Sequence, residues 1–445
     1  MQTSATAQAL EPLSVCIASL RRELPPQVLA QTFDTHTREV QDLRPLIDNA
    51  TRVQPEFQLP IWDYLARRTD AQRVAQGREL LQREAAALRD IERRHRVDGA
   101  TVVAVFGVET DYGRVSGAWP VVDATLSRAC LNLKSAERKQ HFFAALWLLQ
   151  QGVVKADEFK GSWAGAFGMT QFMPATFARY MNDGDGSASA DILHSVPDAL
   201  ATTARYLRGL GWTDGLPWGV EVKVPEALAA SNALEGDHAC LAESRPTGKC
   251  RSAAQWDVAG VTRADGTPLV AAQAGSGRLT ASTSSALLMP AGPRGPAWLV
   301  TPNYQAIWRY NRADAYALAI GLLADSLRGG PLQRVAWPTD DPGLSRAEFR
   351  ELQSLLVARG HCELRVDGSE GPRTSAAIRE EETRLGWTPT GRGGARLLAA
   401  LRNGGAAKGC TVAGSPTPPD DAASAPIPPA SAPVAPPSER ASQPS

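Results

Sequence analysis

Thr101-Val-Val-Ala-Val-Phe-Gly-Val-Glu109-Thr-Asp-Tyr-Gly113 sets a single carboxylate at the end of an apolar run. On a helix, Val102, Val105, Phe106 and Glu109 share one face, because side chains three, four and seven residues apart align. That face is expected to be the buried one, so Glu109 points where a charge is costly. Desolvation disfavours the ionised form and raises the pKa. A glutamic acid that keeps its proton near neutral pH can give it to a leaving group. The valine-rich stretch from Val102 to Val108 also suits a buried strand, and a solvated or paired Glu at a helix end is the ordinary alternative. Periodicity alone leaves these readings open.

The chain of 445 residues is long enough for two or three domains. Its 47 basic and 47 acidic residues balance, which argues against nucleic acid or an anionic membrane as partner. No apolar stretch approaches the roughly 18 residues of a membrane span. The first residues, Met1 to Ala9, lack a basic region followed by an apolar one, so no intact signal peptide is expected within this sequence. Six cysteines favour an oxidising compartment over free buried thiols. Cys240 and Cys250 are close enough for a local bridge, Cys362 and Cys410 flank the C-terminal globular stretch, and elimination leaves Cys16 with Cys130.

Residues 14 to about 215 read as mainly helical. Between 217 and 302 strand-like alternation appears in Gly219-Val-Glu-Val-Lys-Val224, with an Asp265-Gly266 turn, so a small β-rich insert is expected. Helical pattern returns at Asn303, 331–343 looks like a linker, and 344–412 forms a compact helical unit. The Pro/Ala/Ser segment 413–445 cannot bury a core and is expected to be disordered. The fold class is therefore mainly α (α+β).

Two further segments carry chemistry. Gly161-Ser-Trp-Ala-Gly-Ala-Phe-Gly-Met-Thr-Gln171-Phe-Met-Pro174 combines small residues, which allow close backbone approach, with polar Ser162 and Gln171. Asn303 to Ala317 mixes aromatics with amides, a surface suited to sugars, although the same aromatics on an amphipathic helix would simply be core.

Together these segments resemble the lytic murein transglycosylases of the membrane-bound B type. Matching motifs are Gly107-Val-Glu-Thr-Asp-Tyr-Gly113, Gly161 to Pro174, Tyr310-Asn311 with Tyr316, Gln54-Pro-Glu-Phe57 with Trp62 and Tyr64, and Tyr206 before Gly211-Trp212. The likeness covers residues 14–330. It implies a lysozyme-like helical catalytic domain with a β insert, acting on the MurNAc–GlcNAc β-1,4 bond of peptidoglycan strands. It places Glu109 as the single acid/base, and Ser162, Gln171, Tyr64, Tyr206, Tyr310, Asn311 and Tyr316 along the cleft. Arg138 and Lys139 fall where the family keeps a basic pair for the peptide-bearing strand.

Most glycosidases use two carboxylates. With one, Glu109 would protonate the glycosidic oxygen and then take the proton from the C6 hydroxyl as it attacks C1, leaving a 1,6-anhydro sugar. Asp111 would point well off the Glu109 face and is expected at the surface.

Two departures from the family pattern stand out. The stretch from Met181 resembles a calcium loop, with Asp183, Asp185 and Gly186 at its third, fifth and sixth positions. Met181 and Ile192 stand where the first and last ligands belong, so no cofactor is expected. The C-terminal unit resembles a small three-helix peptidoglycan-binding module, but Glu381-Glu382 replaces its usual aromatic–glutamine pair and puts charge where a ring normally packs. The expectation is a monomeric periplasmic lytic transglycosylase of Gram-negative type, with a membrane tether only through an N-terminal lipid anchor outside this chain. A hydrolytic muramidase and a non-catalytic wall-binding scaffold are the alternatives.

Overall fold

The structure, a computed structural model, describes residues 11–51, 59–230, 238–242, 250–270 and 279–404. The Gln54 to Phe57 motif, Cys410 and the 413–445 tail lie outside them.

The Thr101 stretch is a helix, Gly99–Thr110, capped at its start by the Asp98 carboxylate, which accepts from Thr101 N at 2.9 Å. All twelve of its residues are buried, not one face as the spacing suggested. A helix apolar on every side belongs at the centre of a domain. Its main companion is Asp314–Leu327, also buried on nearly every side, and helices Ala71–Arg83, Ala85–His95 and Val196–Gly209 pack around the pair. At its C-terminus, Asp111 and Tyr112 adopt left-handed backbone, φ 54° and 59°. This turn folds the Tyr112 ring under Gly107, where any Cβ would lie 2.7 Å from the ring.

An antiparallel five-stranded sheet lies between residues 219 and 300, in the spatial order Arg251–Ser252, Ser284–Leu288, Ala297–Val300, Gly219–Lys223, Thr262–Arg263. Leu299 pairs with both Val220 and Leu287. Alternation sends Val220, Val222, Leu287 and Leu299 into a core with Trp256, while Ala286, Leu288, Trp298 and Val300 join the helical core. Both faces of the sheet are thus covered. Disulfides join Cys16 to Cys130 and Cys240 to Cys250. Among the described residues no helix is long and apolar enough to cross a membrane.

Three helices, Arg346–Ala358, Pro372–Arg384 and Ala395–Asn403, close around Phe349, Leu352, Leu356, Ile378, Leu398 and Leu401. The Glu381-Glu382 pair does place charge inside the module. Both side chains are buried, and both are fully engaged. Glu381 pairs with Arg359, His361 and Arg384. Glu382 accepts from the backbone N–H groups of Thr390 and Gly391 at 2.6 and 2.7 Å and from the Thr390 hydroxyl at 2.5 Å. A buried charge is tolerated when paired and hydrogen-bonded; here Glu381, at the position of the ring, is held by cations, and Glu382, at the position of the glutamine, fastens the 390–391 turn.

Candidate active site

Glu109 occupies the last turn of the central helix and is 2% exposed. The Tyr316 hydroxyl, projecting from the companion helix, donates to Glu109 Oε1 at 2.5 Å. Tyr316 stacks on Tyr310, ring centroids 6.2 Å apart and planes 27° from parallel. The Tyr310 hydroxyl donates to the Thr170 carbonyl at 2.8 Å. Burial, followed by the nearby Glu109 carboxyl, holds both phenols well above their ordinary range, so both remain donors at any working pH. Tyr206, half-buried on Val196–Gly209, continues the row with its ring 5.1 Å from Tyr310 and 4.9 Å from Tyr180. Tyr64, buried on helix Ile61–Arg68, lies close enough to Tyr316 for their phenols to influence one another. Asn311 is buried at the end of Pro302–Asn311.

The glycine-rich segment closes the site from the other side. Ser162 and Ala166 bond reciprocally, Ser162 N to Ala166 O at 2.7 Å and Ala166 N to Ser162 Oγ at 3.1 Å. Gly168 has φ +75°, and an added Cβ there would lie 2.7 Å from Ile192, so the segment packs as written only with glycine. The turn is stitched to the acid-bearing helix, because the Thr110 hydroxyl donates to the Met169 carbonyl at 2.5 Å. Gln171, also left-handed at φ 52°, donates from Nε2 to the Gly168 carbonyl at 3.0 Å. Its Oε1, like the Thr170 hydroxyl, is buried without a hydrogen-bond partner among the described residues. Buried orphan acceptors of this kind are costly and call for a ligand donor.

Arg138 and Lys139 stand apart from this cluster at the start of Ala136–Gln150. Arg138 Nη1 donates to the Arg128 carbonyl at 3.3 Å, and Lys139 pairs with Glu23. Arg128 in turn donates to the Ala164 carbonyl at 3.0 Å, so among the described residues Arg138 reaches the glycine-rich segment only through Arg128, and Lys139 does not reach it. Burial, followed by the Arg128 charge, pushes His141 down to about 3, and its neutral Nδ1 accepts from Ala175 N at 3.3 Å.

Asp111 corrects another expectation. It is not a free surface group: its carboxylate meets Arg73 at 3.0 Å, Arg346 at 2.6 Å and Arg114 at 3.3 Å. Sequence reasoning also missed Thr170 and Arg73. The first sat unnoticed inside a quoted motif, and the second carries no local signal because its partner is remote in sequence.

The Met181 stretch keeps a cluster of acids but lacks the first and last side-chain ligands of a calcium loop. Asp183, Asp185 and Asp198 bring carboxylate oxygens within 4.8 Å of one another, and these oxygens also accept loop donors: Asp183 from Gly186 N and Ala188 N, Asp185 from Ser187 N and Ser195 Oγ, Asp198 from Gly184 N and Asp191 N. Ile192, at the position of the bidentate ligand, is buried in the helical core.

A family profile described as Transglycosylase SLT domain matches residues 15–325, and a peptidoglycan binding domain profile matches 345–401. Membrane-bound lytic murein transglycosylase B of Escherichia coli is 29% identical over 230 residues, 51% of this chain; the match spans only 56% of that protein. SltB3 of Pseudomonas aeruginosa, solved with NAG-anhNAM-pentapeptide, is 38% identical with a TM-score of 0.64, covering 88% of this chain and 100% of that one. SltB1 of Pseudomonas aeruginosa, 22% identical over 72% of this chain and 99% of its own, with a TM-score of 0.58, shares the fold. The chain belongs to the SLT transglycosylase family, with a peptidoglycan-binding-type domain at its C-terminal end.

Proposed function

We propose that this protein is a lytic transglycosylase that cleaves the MurNAc–GlcNAc β-1,4 bond of peptidoglycan with Glu109 as its only acid/base. The observation that carries the reading is the buried Glu109 carboxyl held by Tyr316, beside an Asp111 that arginines occupy. With its proton on, Glu109 donates to the glycosidic oxygen as the C1–O bond breaks. The MurNAc N-acetyl oxygen supports the oxocarbenium-like C1. Glu109, now ionised and stabilised by the Tyr316 hydroxyl, takes the C6 hydroxyl proton while that oxygen bonds to C1. The aglycone leaves with Glu109's proton, and the C6 proton restores the acid, so no water is consumed. SltB3 in complex with an anhydro muropeptide, at 38% identity, supports this product. The Gln171 Oε1 and Thr170 hydroxyl orphans supply hydrogen-bonding positions for sugar hydroxyls or the acetamido N–H. The reaction draws on no cofactor. The natural place of work is the periplasmic wall.

Glu109→Gln keeps the shape of the site and removes the transferable proton. Turnover of purified sacculi should vanish, while the melting temperature and saccharide binding stay near wild type. Residual near-normal release of muropeptides by that variant refutes the assignment. Product mass identifies the chemistry, the anhydro end being lighter by one water than a hydrolysed one.

A further inference from the structure

The C-terminal module does more than sit beside the catalytic domain: its arginines reach the two short elements that frame the acid. Arg346, the first residue of its first helix, meets Asp111 Oδ2 at 2.6 Å. Arg392 grips Asp63 with two bonds, Nε to Oδ2 at 2.6 Å and Nη2 to Oδ1 at 2.8 Å, and also pairs with Asp341. In the reverse direction, Arg67 pairs with Glu370 at 2.6 Å and lies 4.1 Å over the Phe349 ring. Trp337, in the segment joining the domains, packs between Trp62 and Trp298, at centroid distances of 6.4 and 6.0 Å.

The placement of these contacts is specific. Asp111 follows Glu109 by two residues and caps the acid-bearing helix. A carboxylate there faces the negative end of the helix dipole, an unfavourable position unless cations compensate. Arg73 from the catalytic domain supplies one cation and Arg346 from the module supplies another. Asp63 precedes Tyr64 on the helix Ile61–Arg68, which packs against Asp314–Leu327, the helix that carries Tyr316, the partner of Glu109. The same short helix, Ile61–Arg68, is tied to the acid's own turn by Arg68 Nη1 donating to the Val108 carbonyl at 3.0 Å. Buried Asp63 and half-buried Asp111 of the catalytic domain thus each take a charge partner from the module, and both flank groups of the site.

We infer that Arg346 and Arg392 are positioning residues for catalysis: by neutralising Asp111 and Asp63 they hold the Glu109 turn and the Tyr64 helix in register across the cleft. This rests on Glu109 being the acid. The module then contributes to turnover even of strands too short and soluble to gain anything from wall tethering.

The test compares wild type, Arg346→Ala, Arg346→Lys, Arg346→Met and Arg392→Ala on a short soluble peptide-bearing glycan strand and on insoluble sacculi, with melting temperatures and sacculus pull-down alongside. Misplacing a catalytic group by about 1 Å costs up to about a hundredfold, so a partial slackening should cost about tenfold in kcat on the soluble strand. KM should stay within about twofold, sacculus binding should be unchanged, and Arg346→Lys should recover part of kcat. A folded Arg346→Met or Arg346→Ala with wild-type kcat on the soluble strand overturns the inference, as does a loss confined to sacculi. Where Arg346→Ala melts early, Arg346→Lys and Arg346→Met carry the comparison. Glu109→Gln run in parallel keeps the two readings apart. Activity in that variant overturns the acid assignment, whereas an inactive Glu109→Gln beside a wild-type-like Arg346→Ala overturns only the positioning role.

Discussion

Removing one oxygen from Tyr316 isolates the bond on which the proposed chemistry turns. Tyr316→Phe keeps the ring, its stacking on Tyr310 and its burial, and deletes the hydroxyl that donates to Glu109 Oε1 at 2.5 Å. A hydrogen bond to a charged group contributes about 1.5–3 kcal/mol. The bond is worth most when Glu109 has just released its proton, which is the charge that develops in the transition state, so its loss acts on kcat. At about 1.4 kcal/mol per decade, the expected fall is roughly 10- to 150-fold. The sign of the pH effect follows from the same bond. The hydroxyl favours the carboxylate over the acid; without it Glu109 holds its proton to higher pH, and the alkaline limb of the rate profile moves upward. The assay is the initial rate of anhydro-muropeptide release, followed by mass spectrometry across the pH range, with circular dichroism as the fold control. A Tyr316→Phe enzyme with wild-type kcat and an unshifted alkaline limb refutes the role given to this pair.

Other expectations follow from burial and pairing. His141 is pushed down to about 3 in the fold from its ordinary 6.5, so the unfolded chain binds more protons between those values and stability falls as pH drops through that window. The groups facing it are Arg128 and Glu137, and His141→Gln should flatten the dependence of melting temperature on pH below about 6. Glu382→Phe puts a ring where similar modules carry glutamine and strands the Thr390 and Gly391 donors, at about 1–3 kcal/mol each, so denaturant unfolding should show a less stable C-terminal module. Calorimetric titration with calcium should give no saturable heat, because Met181 and Ile192 leave the loop without its first and its bidentate ligand.

What the sequence by itself determined is largely local. An acid ending an apolar run, a glycine-rich turn with Ser162 and Gln171, and an aromatic–amide helix are each written in consecutive residues, and their residue types already limit the chemistry they can do. The β insert was readable for the same reason, since alternation records which side of a strand is covered. What only the tertiary structure decided involves partners far apart in the chain. The spacing of Val102, Val105 and Phe106 could not tell a half-buried helix from one buried all round, because that depends on what packs against its other faces. Asp111 looked like a surface acid until Arg73 and Arg346 arrived from 38 and 235 residues away. Glu381 and Glu382 looked misplaced until His361, Arg359 and the 390–391 turn closed on them. Charge and hydrogen-bond complementarity is a property of pairs, and a linear sequence names the members without saying which ones meet.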